Sequence, residues 1–437
     1  MRAGPVPGRD EYVEDLAAFV AASPSSYHAA AEVARRLDAA GFTRLDEVAA
    51  WPPVDGAARS YVVRDGAVVA WLVPSGAAPT SAYRVVGAHT DSPGFMLKPR
   101  PGSASHGWLQ AGVEVYGGPL LNSWLDRELE LAGRLVTRDG AQHLVRTGPF
   151  LRVPQLAIHL DRQVNEALTL DKQRHLLPVF GAGPAADLQG RGDLVAHLAS
   201  LAGVAAGEVA GWELTTADTA APARFGLDGE LFAAGRMDNL TSVHAGTRAL
   251  VAAATSGTTS DHVLVLAAFD HEELGSASRS GANGPLLADV LTRVSDGLGA
   301  TQEQRMRAMA ASWCVSSDAG HAVHPNYPER HDMANKPVPG GGPLLKLNAN
   351  QRYATDAHGR ALWARTCEAA GVTSQEFVSN NAIPCGSTIG PLTATRLGIR
   401  VVDVGAPLLS MHSARELGHV DDLTALGAAL TAFFAGV

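Results

Sequence analysis

Two imidazole and three carboxylate side chains in the sequence could together bind metal ions. They are His89, Asp238, Glu273, Asp318 and His412. This mixture of nitrogen and oxygen ligands suits divalent cations such as Zn²⁺, Co²⁺ or Mn²⁺. Two such cations, roughly 3.5–4 Å apart and bridged by one carboxylate, would use the whole set. The set therefore predicts a two-metal centre.

Further acidic residues beside this set could take part in the chemistry. Asp91 follows His89 by two positions, and its carboxylate can accept the second imidazole N–H and fix the ring's orientation. In the adjacent pair Glu272-Glu273, one carboxylate can bind metal while its neighbour stays free to accept a proton from water. This combination predicts metal-assisted hydrolysis.

Each short motif also has an ordinary structural interpretation. A His-x-Asp triplet is common by chance, Glu-Glu pairs usually mark a solvated surface, and Asp238 could simply cap a helix. The string HEELG at 271–275 is not His-Glu-x-x-His, so the single-helix zinc protease arrangement is excluded. A real site is favoured because several of the candidate ligands come directly after apolar segments that predict strands.

Four apolar segments run into these residues. They are 83–88 before His89, 263–269 before Asp270 to Glu273, 313–317 before Asp318, and 399–404, which leads to Met411-His412. Continuous apolar runs of this length predict strands buried on both faces of a largely parallel sheet. In open α/β sheets the ligand site lies beyond the carboxyl ends of the strands, so the pattern predicts one shared site.

The segments around these strands have helical patterns or, in one long region, a β-rich pattern. Helical patterns cover 10–22, a segment from Ser25 or Ser26 to about Gly41, 240–255 and 421–435, and Asp65-Gly66 predicts the turn of a hairpin. Residues 92–232 instead contain short alternating pieces and closely spaced turn signals, and the Ala/Gly-rich part at 181–211 predicts loops and a short helix. We therefore predict a catalytic domain in two segments, 1–91 and 233–437, interrupted by a β-rich insertion at 92–232.

Composition limits the classes of partner. The 437 residues include 35 Lys+Arg and 44 Asp+Glu, a formal net charge of −9, which gives no general attraction to nucleic acid or anionic membranes. There are only three cysteines, no apolar signal region at the N-terminus and no apolar run of about 18 residues. We predict a cytoplasmic protein with neither nucleic acid nor membrane as a partner.

Seven strings, in order along the chain, resemble the M18 metallopeptidases, the aspartyl aminopeptidase family. They are HTDSPG (89–94), GRMDNL (235–240), HEELGS (271–276), SSDAGHAVHPNYPERH (316–331), LKLNANQRYATD (345–356), PCGSTIGP (384–391) and MHSARE (411–416). The resemblance implies an α/β fold: a catalytic domain of the dinuclear-zinc aminopeptidase type with a mostly parallel central sheet, and a β-rich insertion that serves as a dimerisation domain. It also implies a homo-oligomer, a dodecamer built from dimers.

The same resemblance implies a role for each site residue. Two zinc ions per subunit, replaceable by Co²⁺ or Mn²⁺, would share Asp238 as a bridge. One ion would also bind His89 and Asp318, and the other would bind Glu273 and His412. Glu272 would be the general base, Asp91 the partner of His89, and His159 a histidine given to a neighbouring subunit's site. Substrate would contact His321, Lys346 and Tyr353, and also His159 from the neighbouring subunit.

The expected activity is that of a metallo-aminopeptidase that removes an unblocked N-terminal Asp or Glu from peptides, using water that bridges two zinc ions. A net charge of −9 and a carboxylate-rich centre would repel an acidic side chain unless fixed cations offset them. Lys346 and Arg352 are the candidate cations. Two alternatives stay open: a related aminopeptidase or deacylase with neutral specificity, and a catalytically idle peptide-binding or structural shell.

Overall fold

Strands in three sheets make up the framework of the protein. The structure is a computed structural model that describes residues 8–54, 57–256 and 261–436. Its strands are β1 Thr43–Arg44, β2 Arg59–Arg64, β3 Ala67–Leu72, β4 Tyr83–His89, β5 Gly94–Ser105, β6 Trp108–Tyr116, β7 Leu129–Thr137, β8 Gln142–Arg146, β9 Val179–Ala182, β10 Val209–Asp218, β11 Ala223–Phe225, β12 Leu231–Ala234, β13 Val263–Phe269, β14 Trp313–Ser317, β15 Gly320–His321, β16 Leu344–Leu347, β17 Gln375–Val378, β18 Arg400–Gly405, β19 Pro407–Leu409 and β20 Glu416–His419.

All but one of the helices in the described part of the chain cover the two faces of the largest sheet. The helices are α1 Arg9–Ala22, α2 Ser26–Ala39, α3 Leu194–Ala202, α4 Met237–Ser256, α5 Leu286–Gly297, α6 Gln302–Ala311, α7 Ala357–Ala370, α8 Ile389–Leu397 and α9 Val420–Ala435. Ser25 caps α2 by accepting the backbone N–H of His28, and Gly41 follows its end with a φ of 79°. Among the described residues, none of the helices has the length and apolar character needed to cross a bilayer.

The four strands predicted from apolar runs lie side by side in this sheet. Its order is β1-β2-β3-β13-β4-β14-β18-β16-β17, and β13, β4, β14 and β18 all run parallel. β3 runs antiparallel to β13, and β16 runs antiparallel to β18, so the sheet as a whole is mixed. Because β13, β4 and β14 are parallel neighbours, their carboxyl ends meet at one edge, where the candidate ligands begin.

Two hydrophobic cores explain why β13 is apolar at every position. Leu264, Leu266 and Ala268 face a core built with α1, α2, α4, α7 and α9. The alternate residues, including Val265 and Phe269, face a second core built with α5, α6 and α8. Successive side chains of a strand point to opposite faces, so a strand between two cores is apolar throughout.

The β-rich insertion has a sheet and a core of its own. The sheet order is β8-β7-β10-β5-β6-β9 with antiparallel neighbours, and its apolar side chains form a third core. Within 181–211 the structure has loops around the short helix α3. The predicted boundary at 232 falls inside β12, which pairs with a strand from the far end of the chain. The domain boundaries themselves stay a prediction.

A small third sheet joins distant parts of the chain beside the ligand-bearing edge. Its order is β11-β12-β20-β19-β15, and β12 pairs antiparallel with β20. Because Ala234 pairs with Glu416, the segment after Ala234 lies next to the segment before Glu416. Gly235 is required there, because an added Cβ would lie 2.8 Å from the backbone oxygen of Ala414.

Candidate metal centre

The five predicted ligands converge at the carboxyl-terminal edge of the central strands. His89 is the last residue of β4, Asp318 directly follows β14, and Glu273 lies in a short 3₁₀ turn, Glu272–Leu274, after β13. Asp238 lies at the start of α4, and His412 lies in the loop between β19 and β20. Three three-residue groups have their ligand atoms within 4.8 Å of one another. One is His89 with Glu272 and Glu273, and the other two share Asp238: His89 with Asp238 and Asp318, and Asp238 with Glu273 and His412.

The carboxylate of Asp238 lies between the two groups that share it. Its Oδ1 is 3.2 Å from Nε2 of His89, while its Oδ2 is 3.6 Å from Nε2 of His412. Nε2 of His89 is also 3.5 Å from Oδ1 of Asp318, and Nε2 of His412 is 3.4 Å from Oε2 of Glu273. Each oxygen of Asp238 therefore faces a different imidazole.

Asp91 fixes the turn that carries the two glutamates. Its Oδ1 accepts the backbone N–H of Glu272 at 3.0 Å, and its Oδ2 accepts that of Glu273 at 3.1 Å. The Tyr116 hydroxyl donates to Oδ2 at 2.8 Å. The hydrogen bond of His89 Nδ1 goes to the backbone oxygen of Asp91 at 3.0 Å, with the carboxylate 3.3 Å away. The main-chain oxygen of Asp91 thus accepts the imidazole hydrogen bond that the sequence analysis assigned to its carboxylate.

A second carboxylate, Glu416, binds the main chain on the other side of the centre. Its Oε2 accepts the backbone N–H of Asp238 at 3.0 Å, and its Oε1 accepts that of His412 at 2.8 Å. Burial, followed by the negative charge of Asp238, raises the pKa of Glu416 to about 8. The sequence analysis missed this residue, although it closes the same string, MHSARE, that contains His412.

Charge is concentrated in this buried centre. Burial opposes a proton on His89, but the carboxylates of Asp238, Asp318 and Asp91 outweigh it and hold the pKa of His89 well above its usual value. Burial also raises the pKa of Glu272 to about 7, and the charges of Asp318 and Asp238 add to this against the opposing effect of His89. Crowded acidic groups of this kind need positive charge close to them.

Divalent cations fit this donor set. Oδ1 of Asp238 and Oε1 of Glu273 are buried and have no hydrogen-bond partner among the residues that the structure describes. Buried carboxylate oxygens without a partner are unfavourable, and imidazole and carboxylate donors are those that zinc prefers. Two divalent cations together with the nearby ammonium group of Lys346 would balance the five acidic side chains of the centre, which are Asp91, Asp238, Glu272, Glu273 and Asp318.

A family comparison decides what kind of centre this is. Residues 19–434 match the model of a family described as Aminopeptidase I zinc metalloprotease (M18). The chain belongs to the M18 family. The resemblance predicted from the seven strings is thereby confirmed, and the chemistry of M18 members, zinc-dependent aminopeptidase hydrolysis, is that of this chain's family.

Curated M18 relatives match over almost the whole chain. The Streptomyces avermitilis protein named probable M18 family aminopeptidase 2 is 57% identical over 427 residues, which cover 97% of this chain and 98% of the relative. The Mycobacterium tuberculosis protein of the same name is 44% identical and covers 96% of each chain.

Solved M18 structures share the fold. A chain in the cryo-EM structure of the Ape4 and Nbr1 complex has a TM-score of 0.94 and 33% identity, over 98% of this chain and 86% of that one. The S. cerevisiae mApe1 dodecamer has a TM-score of 0.85 and 28% identity, over 98% of this chain and 96% of that one. The mixed α/β architecture of this M18 chain is therefore that of its solved relatives.

Three of the four predicted substrate residues lie together beside the centre. Lys346 is 2% exposed, donates from Nζ to the backbone oxygen of Ala319 at 2.7 Å, and has Nζ 3.8 Å from Oδ2 of Asp318. Its ammonium group also lies 5.4 Å from the ring centre of Tyr353. His321 joins this group through Phe377, whose ring centre is 6.1 Å from that of His321 and 6.2 Å from that of Tyr353.

Phe377 is a further residue that the sequence analysis missed. It is the register partner of Lys346 in the parallel pair β16–β17, and such partners lie next to each other in the sheet. The short strand around it, QEFV, carries no motif, so no local signal marks it. The other candidate cation, Arg352, is exposed and donates from Nε to the backbone oxygen of Gly386 at 3.3 Å.

His159 lies apart from this arrangement. It is exposed on a turn of the insertion, between the exposed apolar residues Ile158 and Leu160. It is absent from each of the three candidate ligand groups found among the described residues. Within one chain the structure does not bring His159 to the centre.

Proposed function

We propose that the protein is a dinuclear zinc aminopeptidase that releases an unblocked N-terminal Asp or Glu from peptides. The observation that carries this proposal is the position of Asp238, whose two carboxylate oxygens face His89 and His412 separately. A single-metal site has no need for a carboxylate shared in this way. Asp318 would complete one ion's ligands, and Glu273 would complete the other's.

The proposed chemistry is hydrolysis of the first peptide bond. When bound, the zinc ions make water acidic enough to attack near neutral pH and stabilise the negative charge that develops on the scissile carbonyl. Glu272 accepts the proton of the attacking water and returns it to the leaving amine. The bond from the backbone N–H of Glu272 to Asp91 holds Glu272 in place for both proton transfers.

The proposed exopeptidase action needs a free N-terminus. Once two divalent cations and Lys346 balance the five carboxylates, the uncharged amine of the first residue could bind one cation through its nitrogen lone pair. An acetylated N-terminus has lost this ligand and is bulkier. A blocked peptide is therefore a poor substrate.

We propose Lys346 as the group that selects acidic side chains. Its ammonium group has three N–H donors, and the bond to Ala319 uses one of them. The ring centre of the neighbouring Tyr353 lies 5.4 Å from this ammonium group. Near-complete burial makes a charge–charge contact from Lys346 stronger than one from an exposed residue such as Arg352.

A panel of aminoacyl anilides tests both the activity and the selection. The wild-type protein should hydrolyse Asp- and Glu-anilides with a higher kcat/KM than Ala- and Leu-anilides, and should not hydrolyse acetylated Asp-anilide. Lys346→Met keeps the length of the side chain and removes its charge. The Asp-to-Ala ratio of kcat/KM should then fall by about 10- to 100-fold, the value of one charge-assisted hydrogen bond.

Arg352→Met is the matched control in this panel, because it removes the other candidate cation. It should leave the Asp-to-Ala ratio unchanged. If Lys346→Met lost kcat/KM equally on Asp- and Ala-anilides, the role of Lys346 would be to hold Ala319 and Asp318 in place. That result would favour an enzyme of neutral specificity. Failure of the wild-type protein to cleave any unblocked substrate would favour the idle shell instead.

We also propose that the chain acts as a homo-oligomer, a dodecamer built from dimers through the insertion, in which His159 reaches a neighbouring subunit's centre. The support is an exposed apolar loop, in which the exposed fractions of Leu156, Ile158 and Leu160 are 58%, 44% and 74%. Apolar side chains this exposed favour a covering partner. A second copy of the chain is the occupant that accounts for the exposed His159 as well.

Light scattering coupled to gel filtration measures this assembly. The wild-type mass should be about twelve times that of the 45.4 kDa chain. Leu160→Asp should lower the mass and the anilide turnover together, because a charge in the interface is unfavourable and separates His159 from its target. A fully active monomer would contradict the proposal. The cytoplasmic location, with peptides rather than nucleic acids or membranes as partners, stays a prediction.

A further inference from the structure

Glu416 connects two candidate ligands through their main chains rather than their side chains. It is 2% exposed, and its two oxygens accept the backbone N–H groups of Asp238 and His412 at 3.0 and 2.8 Å. These two ligands are 174 residues apart in sequence, at positions 238 and 412. One carboxylate therefore determines how far apart the two peptide groups lie.

The third sheet fixes the position of this carboxylate. Glu416 is the first residue of β20 and the register partner of Ala234, the last residue of β12. The chain passes from Ala234 to Asp238 in four residues, and the close contact of Gly235 with Ala414 keeps the two segments together. The pairing of β12 with β20 thus fixes the backbone from which the side chain of Glu416 extends to the centre.

His412 depends more on such a contact than the other ligands do. Its side chain is 30% exposed, whereas that of His89 is 1% exposed at the end of a central strand. Its φ is 66° and that of Ser410 is 57°, values in the left-handed region that is unfavourable for side-chain-bearing residues. The loop therefore needs bonds that hold it, and Glu416 supplies one at the backbone N–H of His412.

We infer that Glu416 is a positioning residue that sets the spacing of Asp238 and His412 and thereby the affinity of one of the two metal positions. This inference rests on the proposed two-zinc function. The affected position is the one formed by Asp238, Glu273 and His412. Both positions include Asp238, but the one formed by His89, Asp318 and Asp238 depends less on Glu416. Its other two ligands lie at the ends of β4 and β14, whereas His412 in the first position is bonded directly to Glu416.

Titration of the metal-free full-length protein with Zn²⁺ tests the inference without measuring turnover. Calorimetry should find two ions per chain for the wild type. In Glu416→Ala, one of the two dissociation constants should rise by about 10- to 100-fold, the usual effect of losing a residue that orients a ligand, while the other stays within about threefold. Titration with Co²⁺ should show the same loss as the disappearance of one of two absorption components.

Glu416→Gln keeps the volume of the side chain and one acceptor oxygen, so it distinguishes positioning from packing. Its amide NH₂ would face one of the two backbone N–H donors, so we expect a loss smaller than in Glu416→Ala at the same metal position. A purely structural role would instead leave both zinc affinities at the wild-type values in the folded Gln variant.

Asp422 offers a matched control for this experiment. It is also fully buried and accepts two backbone N–H bonds, from Gly340 at 2.9 Å and Gly342 at 2.7 Å, away from the centre. Asp422→Asn should lower the unfolding temperature without changing either zinc affinity. If both zinc affinities were unchanged in both Glu416 variants, the inference about Glu416 would be wrong, but the proposed two-zinc function would stand. A single zinc in the wild-type protein would overturn the two-zinc function itself.

Discussion

Glu272→Gln should lower turnover of an acidic anilide by about 10²- to 10⁴-fold while both zinc ions stay bound. The amide has nearly the same size as the carboxylate but cannot accept a proton from water. The backbone N–H of residue 272 still reaches Asp91, so the turn that carries Glu273 should keep its place. Substrate binding should change little, and the loss should lie in kcat rather than in KM.

Zinc content and kinetics measured on the same sample check this prediction. Glu273→Gln is the matched control, because it makes the same chemical change one residue later on the same turn. It should weaken zinc binding, since Oε2 of Glu273 faces His412 at 3.4 Å. If Glu272→Gln lost zinc and Glu273→Gln kept it, the roles of the two glutamates would be reversed.

The local part of this centre could be predicted from sequence. His89, Glu273 and Asp318 each follow a run of apolar residues that forms a central strand, and parallel strands end at one edge of the sheet. A short-range pattern was therefore enough to place these side chains together. The hairpin and the helices α1, α2, α4 and α9 were predictable for the same reason, because periodicity and turn residues are local signals, whereas α5 to α8 were not predicted.

The supporting contacts could not be predicted in this way. Glu416 reaches Asp238 only because β12 and β20 pair across nearly two hundred residues of chain. Phe377 meets Lys346 only through the register of two short strands. Tyr116 donates to Asp91 from the insertion sheet, which the sequence indicated only as a β-rich segment. Register and long-range pairing carry no signal within a single segment, so these residues appear only in the folded chain.

The electrostatics of the centre explain why the supporting contacts matter. Five acidic side chains are crowded into a largely buried space, and their mutual repulsion would push the turn and the loop apart without cations. Asp91 and Glu416 each bind two backbone N–H groups, which holds the ligand-bearing segments against this repulsion. A preorganised set of donors loses less entropy when a metal binds.

Asp238→Asn should have the largest effect of any single ligand change, because it removes the side chain that the two proposed metal positions share. Its amide has one acceptor oxygen and one NH₂ group, so it cannot serve the His89 and His412 sides together. We expect both zinc ions to bind much more weakly. Turnover should fall beyond the roughly 10⁴-fold expected for removing a general base, since activated water is lost along with its proton acceptor.

Asp318→Asn is the control that separates a shared ligand from an ordinary one. Asp318 contacts only the His89 side, so this variant should lose one zinc ion and keep the one held by Asp238, Glu273 and His412. Adding zinc to the metal-free proteins should raise the unfolding temperature most for the wild type, less for Asp318→Asn and least for Asp238→Asn. The reason is that stabilisation by a ligand increases with its affinity for the folded state. Equal zinc stoichiometry and equal stabilisation in the two variants would show that Asp238 serves one ion only, and the two-zinc centre would then lack its bridge.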